Sequence, residues 1–130
     1  MKKGEKKLLI LIAVVLSVVG VAAVSASVSS SFLVTLNKSS TDVMMNNLTG
    51  DKHYGMARAV SKPSSSLKIN WKLYKKSFFS ETCVGSGYIS QLDDMAWHST
   101  SVITYQSNGN YRHNFYSDGY YYGNVQGTNN

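Results

Sequence analysis

The chain has 130 residues, 43% of them hydrophobic, with 13 Lys+Arg against 7 Asp+Glu and a formal net charge of +6. That length holds one small domain beside any leader, and its single cysteine excludes an intramolecular disulfide scaffold. Lys2, Lys3, Lys6 and Lys7 with Glu5 sit at the N-terminus, so beyond residue 26 the balance falls to 9 against 6. A surplus that small removes the basic footprint nucleic-acid binding requires.

In chain order, the lysines of residues 1–7 precede an apolar run from Leu8 to Val24, and Val24-Ser25-Ala26 follows. A basic segment, an apolar segment and small residues at a cut site predict a secretory signal peptide over residues 1–26, cleaved after Ala26. The alternative is an uncleaved anchor, since the run sits at the short edge of the spanning range. Residues 27–31 then form a flexible mature N-terminus and 32–130 a single small β-rich domain, secreted or held at the cell surface. That domain must do without disulfides, so its core or an assembly has to suffice. Cys83 is expected to be buried as a small hydrophobe.

Phe32 to Leu36 predicts a first strand. Ser39, Ser40, Thr41 and Asp42 offer helix caps ahead of VMMNNL, which predicts a short helix or a loop closed by Gly50. Lys52 to Ser61 fits strand or helix, and Lys62 to Ser66, with the only proline, is a loop.

Lys68 to Lys76 alternates Ile69, Trp71 and Leu73 against Lys68, Asn70, Lys72 and Tyr74. Period two predicts a half-buried strand with Lys68, Lys72 and Lys76 on its outer face. Those lysines fit either an edge strand guarded against association or a cationic stripe for an anionic surface. Phe78-Phe79 extends the strand. Glu81 to Gly87 reads as a turn, without the spacing of a phosphate-cradling loop. From Tyr88 to Ser99, a hairpin about Asp93-Asp94 competes with a capped helix.

Asn108-Gly109 and Asp118-Gly119 lie inside aromatic and β-branched runs and predict two tight turns, hence a three-stranded meander over 101–126. Counting outward from two-residue turns places Ile103, Tyr105, Arg112, Tyr116, Tyr121 and Val125 on one face. Val102, Thr104, Tyr111, His113, Phe115, Tyr120 and Tyr122 take the other. Both faces carry aromatics, so one tyrosine-rich face either is covered or meets a ligand. Tyr122-Gly123-Asn124 and Val125 bring Tyr121–Val125 near the YGNGV box of pediocin-like bacteriocins. Those peptides carry the box at the mature N-terminus beside a cysteine, and this copy has neither feature.

The residues able to do chemistry are Cys83, His53, His98, His113, Asp93 and Asp94. No HExxH, GxSxG or paired-cysteine spacing organises them, so the sequence predicts no catalysis, no cofactor and no metal. The fold expected is a small antiparallel sandwich or partly open barrel. The function expected is non-catalytic binding of an anionic wall polymer, glycan or membrane surface through Tyr105, Tyr116, Tyr121, Arg112, Lys68, Lys72 and Lys76. A secreted bacteriocin-like antimicrobial or toxin is the alternative, and a thiol enzyme the third reading.

Overall fold

The computed structural model describes residues 27–105 and 108–130. The expected signal peptide and its cleavage site lie outside the described residues. The described chain is antiparallel β throughout, apart from one 3-10 turn at Leu92–Asp94. In order it forms β1 (Val28–Leu48), β2 (Lys52–Ala59), β3 (Ile69–Lys76), β4 (Glu81–Ile89), β5 (His98–Ser99), β6 (Ile103–Thr104) and β7 (Gly109–Asn129).

These seven strands make one sheet, in the order β4-β3-β7-β2-β5, with β1 added on β7 and β6 on β2. The last strand organises everything. One edge of β7 pairs with β1 from Val28↔Asn129 to Leu48↔Gly109. Its other edge pairs with β3 over 110–117 and with β2 over 123–129. The sheet thus folds over on itself at residues 117–120. One half is β4-β3-β7-β1 and the other is β5/β6-β2-β7-β1. On the far side the halves meet through side chains: a Cβ on Gly85 of β4 would lie 2.8 Å from Ile103, and one on Gly87 would lie 3.4 Å from Thr100. The result is a nearly closed barrel, the expected fold class.

Alternation explains why β7 runs unbroken. Tyr111, His113, Phe115, Ser117, Tyr121, Gly123, Val125 and Gly127 all point inward, with no change of parity through Asp118-Gly119. The predicted meander is therefore corrected at both turns. At Asp118-Gly119 the chain makes a bulge, where the register with β1 steps from Asn37↔Tyr120 to Ser39↔Ser117. Lys38 opposite takes the left-handed conformation (φ 51°), and Gly119 does not. A bulge of this kind bends the ribbon and sharpens its twist. At Asn108-Gly109, Asn108 is left-handed, yet Ile103 and Thr104 pair with His53 and Lys52. Both edges of β7 are already occupied, so residues 101–105 go to the opposite half.

Other expectations change for the same reason. Ser39–Leu48 is strand, because pairing with β7 outweighs its local capping residues. Glu81–Gly87 is strand β4, and the turn falls earlier, at Ser77–Ser80. Asp93-Asp94 sits in the 3-10 turn, but no hairpin forms there, since β5 pairs with β2. Strand β3 is central, paired with β4 and β7, so its lysines guard no edge.

The core is aromatic and aliphatic. Trp71, Tyr111, Phe115, Tyr121, Ile69 and Leu73 are fully buried. Trp71 crosses to the opposite half, where a Cβ on Gly55 would stand 2.6 Å from its Cδ1. Among the described residues no helix is long and apolar enough to cross a membrane.

Candidate binding groove on the outer face

The outer face of the β4-β3-β7-β1 half is laid out by register. One cross-strand row reads Tyr88–Asn70–Tyr116–Ser40, and the next Ser86–Lys72–Asn114–Asp42. A third reads Cys83–Tyr74–Arg112–Met44, reached across a bulge on β4 at Val84.

In the first row two tyrosines flank a short amide. Strands lie ~4.8 Å apart, so the tyrosine backbones stand roughly 10 Å apart with Asn70 between them. Their rings rise above Asn70 as walls, Tyr88 56% and Tyr116 37% exposed. The groove between them has a volume of about 530 Å³ and is completed by Ser40, Lys72, Ser86 and Asn114. The lining therefore offers two tyrosine rings with their phenol groups, two amides, two serine hydroxyls and one ammonium. Lys68 reaches the same end, its Nζ 4.8 Å from the Tyr88 ring centroid, a cation–π distance.

Arg112 of the third row centres an ion-pair cluster. Arg112 donates to Glu81 through Nε and Nη2, the latter at 2.8 Å, and through Nη1 to Asp42 at 2.8 Å. Its guanidinium also lies 4.1 Å over the Tyr74 ring. Asn114 Nδ2 donates to the same Asp42 oxygen at 2.9 Å, and Lys76 Nζ to Glu81 at 3.2 Å. The Arg112 hydrogen bonds hold the Glu81 carboxyl down at about 2, and the Glu81 contact in turn raises Arg112. The cluster braces one end of the groove, with Arg112 and Lys76 already matched by carboxylates.

The seven residues predicted from sequence thus divide. Lys72 and Tyr116 line the groove, with Lys68 at its end. Arg112 and Lys76 belong to the brace. Tyr105 lies after β6, its backbone N–H donating to Asp51 O. Tyr121 is in the core, its hydroxyl donating to Asn124 O at 2.6 Å, and burial pushes its pKa upward. The expected tyrosine face of Tyr105, Tyr116 and Tyr121 does not assemble, because it depended on the hairpins that β7 replaces.

Sequence reasoning missed Tyr88, Asn70, Asn114, Ser40 and Ser86. Asn70 was visible on the lysine side of the alternating strand, and Tyr88 was hidden by reading β4 as a turn. The chemistry-bearing residues are dispersed. Cys83 is exposed on the outer face, contrary to the expected burial. Its place on the third row points it away from the core. His53 and His113 are buried, while His98 Nε2 contacts Asp94 at 2.8 Å beside the 3-10 turn. Among the described residues no three of His, Cys, Asp and Glu gather at a metal-binding spacing.

A small antiparallel barrel with an aromatic-walled groove is the class these observations define. No family model matches the chain, and no curated protein matches it. Its fold is similar to a crystal structure from Sulfurospirillum deleyianum, with a TM-score of 0.55 at 4% identity, over 82% of this chain and 98% of that one. It is also similar to the Yersinia pseudotuberculosis-derived mitogen, with a TM-score of 0.51 at 8% identity, over 79% and 85% of the two chains. At such identities the likeness is one of fold alone.

Proposed function

We propose that this is a non-catalytic binding protein of the extracellular or cell-envelope space. Its groove takes a polyhydroxylated polymer that carries anionic groups. The observation that supports this best is the Tyr88–Asn70–Tyr116 row. A sugar or polyol unit has an apolar C–H face and a polar rim. Tyrosine rings offer the complementary apolar walls, while Asn70, Asn114, Ser40 and Ser86 offer the donors and acceptors that orient a ligand. Lys72 and Lys68 supply charge for a phosphate or carboxylate along the chain. Because β3 is a central strand, edge protection no longer accounts for these lysines.

The test is retention of the purified protein on immobilised teichoic-acid-type polymer and on a neutral glycan matrix. Tyr88→Ala and Tyr116→Ala should each weaken retention about tenfold, equivalent to about 1.4 kcal/mol. Variants retained as well as the parent protein would sink the groove.

A second reading is a secreted effector acting on another cell, such as an antimicrobial or a toxin. It is favoured by one observation, that a barrel of this shape serves the Yersinia protein as a mitogen. Growth inhibition of neighbouring strains, or stimulation of host cells, by purified protein would support it over simple retention.

A further inference from the structure

The tip of the β3–β4 hairpin is unlike the rest of the surface. Ser77 N donates to Ser80 O at 2.8 Å, Ser77 Oγ donates to the same oxygen at 3.0 Å, and the two serine Oγ atoms lie 2.9 Å apart. These contacts close a tight turn whose two outermost residues are Phe78 and Phe79. Their rings meet edge-on with centroids 4.4 Å apart, and they are 90% and 92% exposed. Tight turns draw on Gly, Asn, Asp, Pro and Ser for backbone reasons. Phe-Phe supplies none of these, and neither residue adopts a positive φ. The rings also lie outside the core cluster, so no demand of the fold explains them. Together they present on the order of 300 Å² of apolar surface on a pre-ordered support.

Behind the rings stands a cationic collar. Lys75 and Lys76 immediately precede the turn, and Lys75 Nζ lies 5.5 Å over the Tyr111 ring at the same end of the barrel. With Arg112 they make three cations against the carboxylates of Glu81 and Asp42, leaving one positive charge uncompensated. At ~3.3 Å per strand residue, Lys76 trails Phe78 by roughly 7 Å. An interfacial apolar group sits about 5–10 Å into the boundary between headgroups and acyl chains. Rings at that depth place the lysines among the headgroups.

We propose that the Phe78–Phe79 tip is an anchor for an anionic lipid bilayer, the two rings entering the interface and Lys75 and Lys76 meeting the headgroups. Charge selects this occupant: an apolar tip backed by a net positive charge matches an apolar layer covered by anions. The anchor is independent of the groove, which opens on the outer face, and it orients the barrel with its hairpin end toward the membrane.

The experiment places an environment-sensitive fluorophore on the full chain at Phe79→Cys, and separately at Ser65→Cys in the loop after β2, both in a Cys83→Ser background. The probe surface is vesicles of phosphatidylglycerol and phosphatidylcholine, with phosphatidylcholine alone for comparison. The expected result is a blue shift at position 79 that needs phosphatidylglycerol and declines at high salt, with no shift at position 65. Reading the tip itself separates it from any contribution of the apolar residues 8–24. The proposal is overturned by no shift at position 79, by equal shifts at both positions, or by an equal shift with phosphatidylcholine alone. It is also overturned by a shift that follows protein concentration without vesicles, which would make the tip a contact between copies. Tyr88→Ala should leave the shift unchanged, so failure of the groove and failure of the anchor are separable.

Discussion

Trp71 and His113 are joined inside the barrel by a hydrogen bond of 3.0 Å from the indole Nε1 to the imidazole Nδ1. Both side chains are fully buried. Because Nδ1 accepts, a neutral His113 carries its proton on Nε2, and that atom has no partner among the described residues. His53 is the second buried imidazole, its Nδ1 3.2 Å from Asn129 Nδ2 and its Nε2 likewise without a partner there. Burial pushes His113 down to about 3. Burial also lowers His53, with Asp51 opposing and Lys75 reinforcing the shift.

The consequence is acid sensitivity with a defined sign. In the folded protein His113 stays neutral well below its ordinary pKa, near 6.5, and His53 shifts in the same direction. The unfolded chain takes up those protons, so it binds more protons than the native state between that value and about 3 for His113. Stability is therefore full above about pH 6.5 and falls as pH drops through this window, by at most about 1.4 kcal/mol per pH unit for His113, with His53 adding a loss of the same sign. Urea midpoints at pH 7, 5.5 and 4.5 measure it. His113→Gln keeps an acceptor for Trp71 and should show a shallower decline. Glu81 and Asp94, also lowered in the folded protein, add a loss of the same sign as pH nears the ordinary carboxylate range. The step from pH 7 to 5.5 is therefore the one that reads the histidines. A midpoint constant from pH 7 to 4.5 would contradict the assignment.

Gly119→Ala separates a continuous β7 from a hairpin. A tight turn at Asp118-Gly119 would need the left-handed freedom glycine provides. In the barrel Gly119 has no positive φ, and the one neighbour of an added Cβ is Leu67 Cδ1 at 3.1 Å, the end of a flexible side chain. The substitution should change stability by less than about 1 kcal/mol. Gly55→Val is the contrast, because its side chain would drive into Trp71 and Phe115. Overpacking there should cost about 2–3 kcal/mol. Denaturant titration of both variants decides between the two geometries of β7.

Much of the fold was legible where one period-two pattern met one consistent environment. Ile69, Trp71 and Leu73 alternate with Asn70 and Lys72 and pack as that pattern requires. The same period runs through Asp118-Gly119 in β7, but the dipeptide is a strong local turn signal and hid it. What settles the matter is non-local: the 21 residues of β1 and the strands β2 and β3 occupy both edges of β7. No local propensity reports that occupancy, and the same blind spot concealed the groove. Tyr88 and Tyr116 are 28 residues apart in the chain and become neighbours of Asn70 only when β4 and β7 flank β3.

Within the lysine stripe the effects should be unequal. Lys72 lines the groove and Lys68 stands at its aromatic wall, whereas Lys76 is held by Glu81. Lys72→Gln and Lys68→Gln should each lower retention on an anionic polymer severalfold and reduce its salt dependence. Lys76→Gln should do less, since an exposed pair of this kind contributes little. Equal losses at all three positions would point to diffuse attraction rather than a defined groove.

Cys83 supplies the last prediction. Its thiol is exposed on the outer face of β4, on the row of Tyr74 and Arg112, and its Sγ lies 3.5 Å from Gly85 O. A thiol so placed reacts without unfolding, so iodoacetamide should label the native protein at a rate close to that of a small free thiol. A labelling rate far above the free-thiol value would revive the nucleophile reading, and full protection in the native state would contradict the outward orientation of Cys83. Cys83→Ser should leave both the urea midpoint and polymer retention unchanged, because the side chain belongs to neither the core nor the groove.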